Sequence, residues 1–459
     1  MRLTLGFLFW AVCPAATLLA QSSQFQGSVP SGAASATPIP LTLRQAIDRG
    51  LKANLGLLVS DSTNEVARSQ RIRTLSALLP QITGQVSETV EQLSLTTIGF
   101  DLHIPGVNIP TIAGPFHYTD ARAAASWTAF DYSARKTFRS AQDNERASRL
   151  SVDNARDLVV QGVAAAYLQI IADASRADAI QSQMKTAQAL YDRAVDQKKA
   201  GTAAGIDVLR SQVELQQQQQ RLLAQENQFA KDKLTLGRII GLPSAQDFNI
   251  AETVPFSPLN SITQDQAMVL ALNQRPDFQS SAARVQAAEK TVQAAMGQHY
   301  PTATVNADYG DVGTTLASSH GTFTFTAAAK FSIFDGGRIR ADVMEAKATL
   351  KQRQDELADL RAQIEYEVRT AFLDIRTAAD QITVAESNLD LANQTLEQAR
   401  DRFAAGVSDN IEVVQAQESV ATGHDNLISA LYGHNVAKVA LARALGAADQ
   451  GIQRLMEVK

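Results

Sequence analysis

Two acidic residues at matching positions are the side chains of this sequence best placed to do chemistry. Asp207 and Glu412 lie 205 positions apart, each in an Ile-acid-Val motif that follows an Ala-Gly pair ending at Gly201 or Gly406. Each acid falls in the first turn of a predicted helix, where a negative charge interacts favourably with the helix dipole by about 0.3 to 1 kcal/mol. A structural role therefore competes with a role as a charged site.

Asp131 and Asp335 form a second matching pair of acids. Each follows a phenylalanine at the point where alternating apolar residues give way to a helical pattern. A carboxylate at such a point can accept hydrogen bonds from the free N–H groups of the first helical turn. We expect both residues to cap the strand-to-helix junctions and to do no further chemistry.

Other residue patterns argue against an enzyme or a metalloprotein. The sequence has no nucleophile elbow, phosphate-binding glycine loop or zinc signature, and its six histidines lack ligand spacing. A net charge of −5 gives no basic surface for nucleic acid. The run from Gln216 to Gln220 is typical of a solvated helix face. We therefore expect no catalytic residue, no cofactor and no metal site.

The matching acids belong to a duplication that covers most of the chain. Gln212 and Gly241 recur as Gln417 and Gly446 at the same spacing of 205 residues. A spacing kept over so long a distance indicates a repeated structural unit. We predict repeat one at 41–243, a linker at 244–261, repeat two at 262–446 and a C-terminal tail at 447–459.

The first 20 residues predict export from the cytoplasm. Arg2, the apolar run that follows it and the small residue Ala20 match a secretory signal peptide. The only cysteine, Cys13, lies in this segment, so the mature chain is expected to lack disulfides and thiol chemistry. Residues 21–40 are rich in Ser, Ala, Gly and Pro and predict a flexible lead-in. Beyond the signal we expect no apolar stretch near the ~20 residues of a membrane-spanning helix.

Each repeat contains an alternating segment that predicts a β-hairpin. In repeat two, Phe323, Phe325 and Phe331 alternate with polar residues within a hairpin at about 302–334. The matching hairpin of repeat one, at about 81–130, contains an insertion at 99–115 whose prolines suit a long loop. Four strands per chain result.

After each hairpin the apolar period changes from two to about three and a half. Long helices are predicted at 131–200 and 335–405, each with a seven-residue spacing that one four-residue step interrupts. This pattern is typical of a coiled coil with a local unwinding point. Gly201 and Gly406 suit the left-handed position that ends a helix. Return helices are predicted at 206–241 and 411–446.

Four strands are too few to close a barrel, because the smallest closed barrels need about eight, and open edges are not tolerated in lipid. Chains would therefore have to assemble, two giving eight strands and three giving twelve. The polar faces, with Asp120, Arg122, Thr324 and Lys330, would line water, and the Ala, Phe and Trp faces would meet lipid. The alternation alone also fits a soluble sheet with one face on a core.

In this order, and twice over, the motifs resemble those of the TolC-like outer-membrane efflux family. The residues that carry the resemblance are the openings Leu43-x-x-Ala46 and Ile262-x-x-x-Ala267, the junction Phe334-Asp-Gly-Gly-Arg338, and the two Ala-Gly turns with their Ile-acid-Val motifs. The resemblance covers nearly all of the mature chain. It implies a tandem repeat that forms a homotrimer, with a twelve-stranded membrane β-barrel and a long α-helical coiled-coil barrel.

The same resemblance implies a function. The trimer would be a passive exit duct in the outer membrane of a Gram-negative bacterium, with its helical part in the periplasm. A periplasmic adaptor (membrane fusion protein) and an inner-membrane pump would load it, in tripartite efflux or type I secretion. The alternative is a secreted coiled-coil structural protein, such as an adhesin stalk or envelope tether, which would not need strands with alternating faces.

The family also implies roles for particular residues. Six carboxylates, Asp207 and Glu412 from three chains, would form a cation-preferring constriction at the periplasmic gate. Where some members carry a second acid, a basic residue and a tyrosine at this gate, this chain has Gln415, Ser408 and Phe403, so ion pairs would hold a closed state less firmly. The adaptor-contacting tip would comprise Gly201, Thr202, Gly406 and Val407.

Overall fold

The computed structural model describes residues 25–97, 99, 110–202, 204–251, 256–258, 262–405, 407, 408, 410–446 and 448. The predicted signal peptide, Gly406, most of the insertion at 99–115 and most of the C-terminal tail lie outside these residues. The chain divides into two compact units. One comprises residues up to Asn64, Ser148–Ser280 and the residues from Leu357 onward, and the other comprises Glu65–Ala147 and Ser281–Glu356.

Repeat one contains two short helices, a hairpin and two longer helices. In chain order its elements are β1 (Ile39–Leu41), α1 (Leu43–Ala53), α2 (Leu55–Ser76), β2 (Gln81–Ser94), β3 (Ile112–Phe130), α3 (Tyr132–Lys199) and α4 (Gly205–Ile239). At about 1.5 Å per residue, the 68 residues of α3 extend for about 100 Å.

Repeat two has the same order of elements. After β4 (Phe248–Ile250), which lies in the predicted linker, it contains α5 (Gln264–Gln274), α6 (Pro276–Gly297), β5 (Thr302–Gly313), a short 3₁₀ turn (Leu316–Ser318), β6 (His320–Lys330), α7 (Arg338–Ala404) and α8 (Asn410–Ala444). The hairpin and the long helix predicted to meet at 334 and 335 instead stop at Lys330 and start at Arg338. Gly336 and Gly337, with φ of +66° and +91°, cannot belong to a right-handed helix.

Matching capping boxes fix the first helix of each repeat. Thr42 Oγ1 accepts a hydrogen bond from the Gln45 N–H at 3.2 Å, and Gln45 Oε1 accepts one from the Thr42 N–H at 3.2 Å. Thr263 and Gln266 exchange the same two hydrogen bonds at 3.3 and 3.1 Å. Two otherwise free N–H groups are satisfied at each helix start, so the duplication extends to these details.

Part of the lead-in predicted as flexible at 21–40 makes backbone hydrogen bonds to the rest of the fold. The Val29 N–H donates to the Ala53 carbonyl at 2.9 Å, and the Ser31 N–H donates to the Gly241 carbonyl at 3.2 Å. Strand β1 pairs in parallel with β4 from the predicted linker. These are backbone contacts, which require no apolar pattern in the side chains, and this explains why the composition gave no sign of them.

The two hairpins form one antiparallel sheet in the order β2-β3-β5-β6. Its register aligns Arg122 with Gln85, Gly310 and Thr322, which places these residues on a largely polar face. Ile82 and Phe323 belong to the opposite face, and each is 78% exposed. A face with so many exposed apolar side chains favours contact with lipid over a soluble sheet.

The main hydrophobic core surrounds the middle of α3. Val160, Val163 and Tyr167 are fully buried there, and the Tyr167 hydroxyl donates to the Leu41 carbonyl at 3.0 Å. Among the described residues α3 is the one helix long and apolar enough to span a membrane, and half of its most apolar stretch is buried inside the fold. The expectation of no such stretch was therefore wrong. Burial in this core accounts for its apolar composition.

Glycines with positive φ end both return helices. Gly241 and Gly446 have φ of +71° and +72°. A Cβ on Gly241 would lie 2.4 Å from the Ala53 Cβ, and one on Gly446 would lie 2.7 Å from the backbone of Arg275. Ala53 and Arg275 each lie where the first short helix of a repeat ends. Each return helix therefore needs glycine both for its turn and for this contact.

The aspartates at the strand-to-helix junctions accept backbone hydrogen bonds. Asp131 Oδ1 accepts from the Ala134 N–H at 2.8 Å. Asp335 accepts at Oδ1 from the Gly337 N–H at 3.0 Å and at Oδ2 from the Ile339 N–H at 2.8 Å. The hydrogen bonds from Ile339 and Gly337 lower the pKa of Asp335 below its ordinary value. The two-glycine turn before α7 thus depends on the ionised carboxylate.

We predict that Gly446→Ala destabilises the fold by about 2 to 4 kcal/mol, because left-handed strain adds to an overpacked contact. The measurement is urea unfolding of the solubilised protein, followed by circular dichroism. Gly201→Ala is the matched control. Gly201 has φ of +76°, but no atom lies within 4 Å of the place that a Cβ would take, so strain alone should cost about 1 to 2 kcal/mol. Equal losses in the two variants would contradict the close contact.

We predict that the stabilising effect of Asp335 disappears in acid. Its lowered pKa means that the carboxylate contributes fully above the ordinary aspartate pKa of about 3.9. This contribution is lost as the pH falls through the lower pKa of the folded state. The difference in apparent Tm between the parent and Asp335→Asn should therefore shrink from pH 7 to pH 3. Asp359→Asn, at an exposed acid of α7, controls for loss of one charge, and a constant difference would refute the prediction.

Candidate functional site

The turns between the long and return helices share one backbone hydrogen bond in the two repeats. The Thr202 N–H donates to the Gln197 carbonyl at 2.9 Å, and the Val407 N–H donates to the Arg402 carbonyl at 3.0 Å. Both hydrogen bonds span five residues, and in repeat one the bond closes a left-handed helix end, with φ of +76° at Gly201. The predicted tip residue Gly406 lies outside the described residues.

The two turns differ in their side chains. The Thr202 hydroxyl adds a second hydrogen bond to the Gln197 carbonyl at 3.0 Å. Val407, at the equivalent position, cannot donate such a bond and leaves its side chain 70% exposed. The turn of repeat one therefore has a side-chain hydrogen bond where the turn of repeat two presents an apolar side chain.

Asp207 and Glu412 lie in the first turns of α4 and α8, and each already has an arginine partner. Asp207 Oδ1 lies 3.6 Å from Arg210 Nη1, and Glu412 Oε1 lies 3.5 Å from Arg402 Nη2. Such exposed pairs contribute at most about 1 kcal/mol. Their importance here is electrostatic, because each arginine offsets the charge that the nearby acid presents. Comparing equivalent positions of the two repeats did not reveal these partners, because Arg210 follows its acid in the sequence whereas Arg402 precedes its acid.

The other three predicted gate residues have different surroundings. Phe403 packs against the apolar cluster of Leu396, Ala399, Val413, Ala416 and Val420, and its ring centroid lies 5.9 Å from the Arg193 guanidinium. Ser408 Oγ is buried without a hydrogen-bond partner among the described residues. Gln415 is exposed and lines a groove between α4 and α8. Phe403 therefore couples α7 to α8 and α3 within the helix core.

An apolar groove beside the two turns is a feature that the sequence analysis missed. Ile206, Leu209 and Val213 of α4 are exposed along one helix face, and Ile411 and Val414 of α8 line the same groove. The spacing of 206, 209 and 213 is a helical stripe, which was the available signal. An exposed apolar stripe of this kind is typical of a surface that another protein covers.

The described residues include no group of three or more His, Cys, Asp or Glu side chains that could hold a metal ion. The chemistry that remains at this end of the helices is that of charged and polar side chains around backbone turns. Such an arrangement can select or admit solutes by charge and size.

Relatives of this chain act in export. It is 26% identical over 339 residues to the pyoverdine export outer membrane protein OpmQ of Pseudomonas putida, over 71% of this chain and 70% of the relative. It is 23% identical over 426 residues to the probable efflux pump outer membrane protein SepC of Pseudomonas putida, over 88% of this chain and 83% of the relative.

Solved structures share the fold. A membrane protein from Pseudomonas aeruginosa superposes with a TM-score of 0.80 at 19% identity, over 92% of this chain and all of that chain. The CmeC outer membrane channel of Campylobacter jejuni superposes with a TM-score of 0.78 at 16% identity, over 98% of this chain and 94% of that chain. Both similarities extend over almost the whole of the described residues.

A family model described as outer membrane efflux protein matches residues 46–242 and 267–447. These two ranges correspond to the two repeats, the second extending one residue past the predicted end at 446, and together they cover most of the chain. The resemblance drawn from the motifs is thereby confirmed, and with it the localisation in the Gram-negative outer membrane and the assignment to a family of transport channels. The chain belongs to the outer membrane efflux protein family.

Proposed function

We propose that this chain is the passive exit duct of a tripartite efflux or type I secretion system and that it acts as a homotrimer. The observation that carries the proposal is the four-stranded sheet, which has one polar face, one exposed apolar face and two free edges. A sheet with these properties is suited to become one third of a closed barrel.

The free edges supply the reason for assembly. Strands β2 and β6 form the outer edges of the sheet, and their unpaired N–H and C=O groups could not be left without partners in lipid. Pairing β2 of one chain with β6 of the next satisfies both edges. Three chains then contribute twelve strands, enough to leave a water-filled lumen lined by the polar face.

The secreted stalk, our alternative from the sequence, loses its support. A stalk needs coiled-coil helices but no sheet with an exposed apolar face, and the family of this chain is one of efflux proteins. The coiled-coil helices instead suit the periplasmic part of a duct, for which several chains would combine their helix pairs.

We propose that a periplasmic adaptor and an inner-membrane pump are the partners. The adaptor would contact the turns at Gly201, Thr202, Gly406 and Val407, where an exposed valine offers apolar contact. Relatives are named for pyoverdine export and for toluene efflux. Solutes of such different chemistry support assigning the choice of solute to the pump.

We expect the protein to fractionate with the outer membrane and to sediment as a trimer after solubilisation. In planar bilayers the purified trimer should give discrete single-channel currents, because twelve strands leave a continuous lumen. A protein that stays soluble, or a trimer that conducts no ions, would contradict the duct.

We predict that the double change Asp207→Asn with Glu412→Gln shifts ion selectivity toward anions. Loss of the acids leaves Arg210 and Arg402 without their partners, so three chains would gain up to six net positive charges at the gate. The measurement is the reversal potential in a salt gradient at low ionic strength, where screening is weakest. Glu65→Gln, at an exposed acid of α2, is the control. An unchanged reversal potential would refute the gate assignment of these two acids.

A further inference from the structure

Four polar side chains occupy core positions in α4 and α8, the return helices that follow the two turns. Ser211, Glu214 and Gln218 of α4 and Gln417 of α8 are 2%, 6%, 3% and 8% exposed. The first three follow a helical spacing of three and four residues, which places them on one face of α4. Apolar residues are expected on a buried face of this kind. We call these four residues the polar layer.

The three residues that α4 contributes to the polar layer have no polar, buried counterparts in repeat two. The residues of α8 that match Ser211, Glu214 and Gln218 are Ala416, Ser419 and Gly423. Ala416 packs in an apolar cluster, and a Cβ on Gly423 would lie 3.3 Å from Leu389. In repeat two, Ala416 and Gly423 thus allow close packing, whereas repeat one places polar side chains, Ser211 and Gln218, at the same positions.

The hydrogen bonds of the polar layer are incomplete. Gln218 Nε2 donates to Glu214 Oε1 at 2.7 Å. Gln218 Oε1 and Gln417 Oε1 are buried without a hydrogen-bond partner among the described residues. Buried polar atoms are nearly always satisfied by protein or by ordered water, so these two oxygens call for a partner that the four helices do not supply.

A cavity lies where that partner is needed. Glu214, Gln218 and Gln417 line a partly open cavity of about 240 Å³ between α3, α4, α7 and α8, together with Asn393, Arg400 and His424. This space is large enough for several water molecules, since one water occupies about 30 Å³ in the liquid. Arg400 places a guanidinium in the same cavity as the Glu214 carboxylate, and this favours water over a bound metal cation.

We propose that the polar layer is a hydrated joint: a water-filled layer that lets α3, α4, α7 and α8 change their packing. By allowing this change, the layer controls how readily the gate end of the duct opens. The proposal rests on the proposed function as a duct. Shifting an apolar layer opens voids and exposes apolar surface. A layer solvated by mobile water can exchange hydrogen-bond partners instead. Replacing buried polar networks by apolar residues often stabilises a protein, so this layer gives up stability for mobility.

The first experiment measures amide hydrogen exchange in the parent trimer. Amides at 211–218, beside the polar layer, should exchange at least about tenfold faster than those at 364–368 of α7, whose Ile364 and Val368 are fully buried in an apolar cluster. Equal protection in the two segments would overturn the proposal. This result needs no variant and no channel activity, so it is independent of the proposed function.

The second experiment fills the polar layer with apolar side chains. The triple change Glu214→Leu, Gln218→Leu and Gln417→Leu should raise the apparent Tm, slow exchange at 211–218 about tenfold and lower the open fraction in planar bilayers. The control changes the same residue types on the exposed face of α4: Gln216→Leu, Gln219→Leu and Glu226→Leu. It should leave exchange and open fraction as in the parent.

The outcomes separate the inference from the proposed function. A parent trimer that never conducts refutes the duct, whatever the exchange results. A conducting parent whose filled variant opens as often as before refutes the joint. A filled variant that is less stable than the parent also refutes it, because the layer would then be a stabilising element or one that fixes helix register.

Discussion

Backbone pairing between β3 and β5 joins the two repeats, and the rest of the architecture depends on it. The paired residues run from Thr119 with Gly313 to Phe130 with Ala303, with one irregularity near Thr128. Because this seam aligns the pleats of both hairpins, the polar residues of each repeat lie on one common face and the apolar residues on the other. The same seam leaves β2 and β6 as the free edges through which chains would assemble.

Within this frame the repeats solve one packing problem with different side chains. Asn54 ends the first helix of repeat one and is fully buried, bonding the Phe25 carbonyl at 2.7 Å and the Gly56 N–H at 2.9 Å. The matching residue of repeat two is Arg275, also buried, which pairs with Asp277 and Glu367. Burial alone would raise the pKa of Asp277, but Arg275 and Arg443 lower it. A buried guanidinium thus requires the carboxylates that surround it.

Much of this fold could be predicted from the sequence, and the misses have physical causes. The change of apolar period at Asp131 located the start of α3 to within a residue, because period and capping are local properties. The pairing of β1 with β4 could not be predicted, since backbone contacts between distant residues leave no pattern. Gln218 is a miss of a different kind. As part of the glutamine run it was predicted to lie on a solvated helix face, yet it is buried. The arginine partners of Asp207 and Glu412 were missed because they do not obey the repeat.

The seam between β3 and β5 also affects the free-energy cost of assembling the proposed barrel. A chain of half the length would contribute one hairpin to a barrel. Every pairing between neighbouring hairpins would then have to form between separate molecules. Joining the halves in one chain makes every second seam intramolecular, at an effective concentration set by the connecting residues rather than by the amount of protein in the cell. Assembly of the proposed trimer then loses the association entropy of three chains rather than six. Each half also becomes free to diverge, as Glu214 and Ser419 have done.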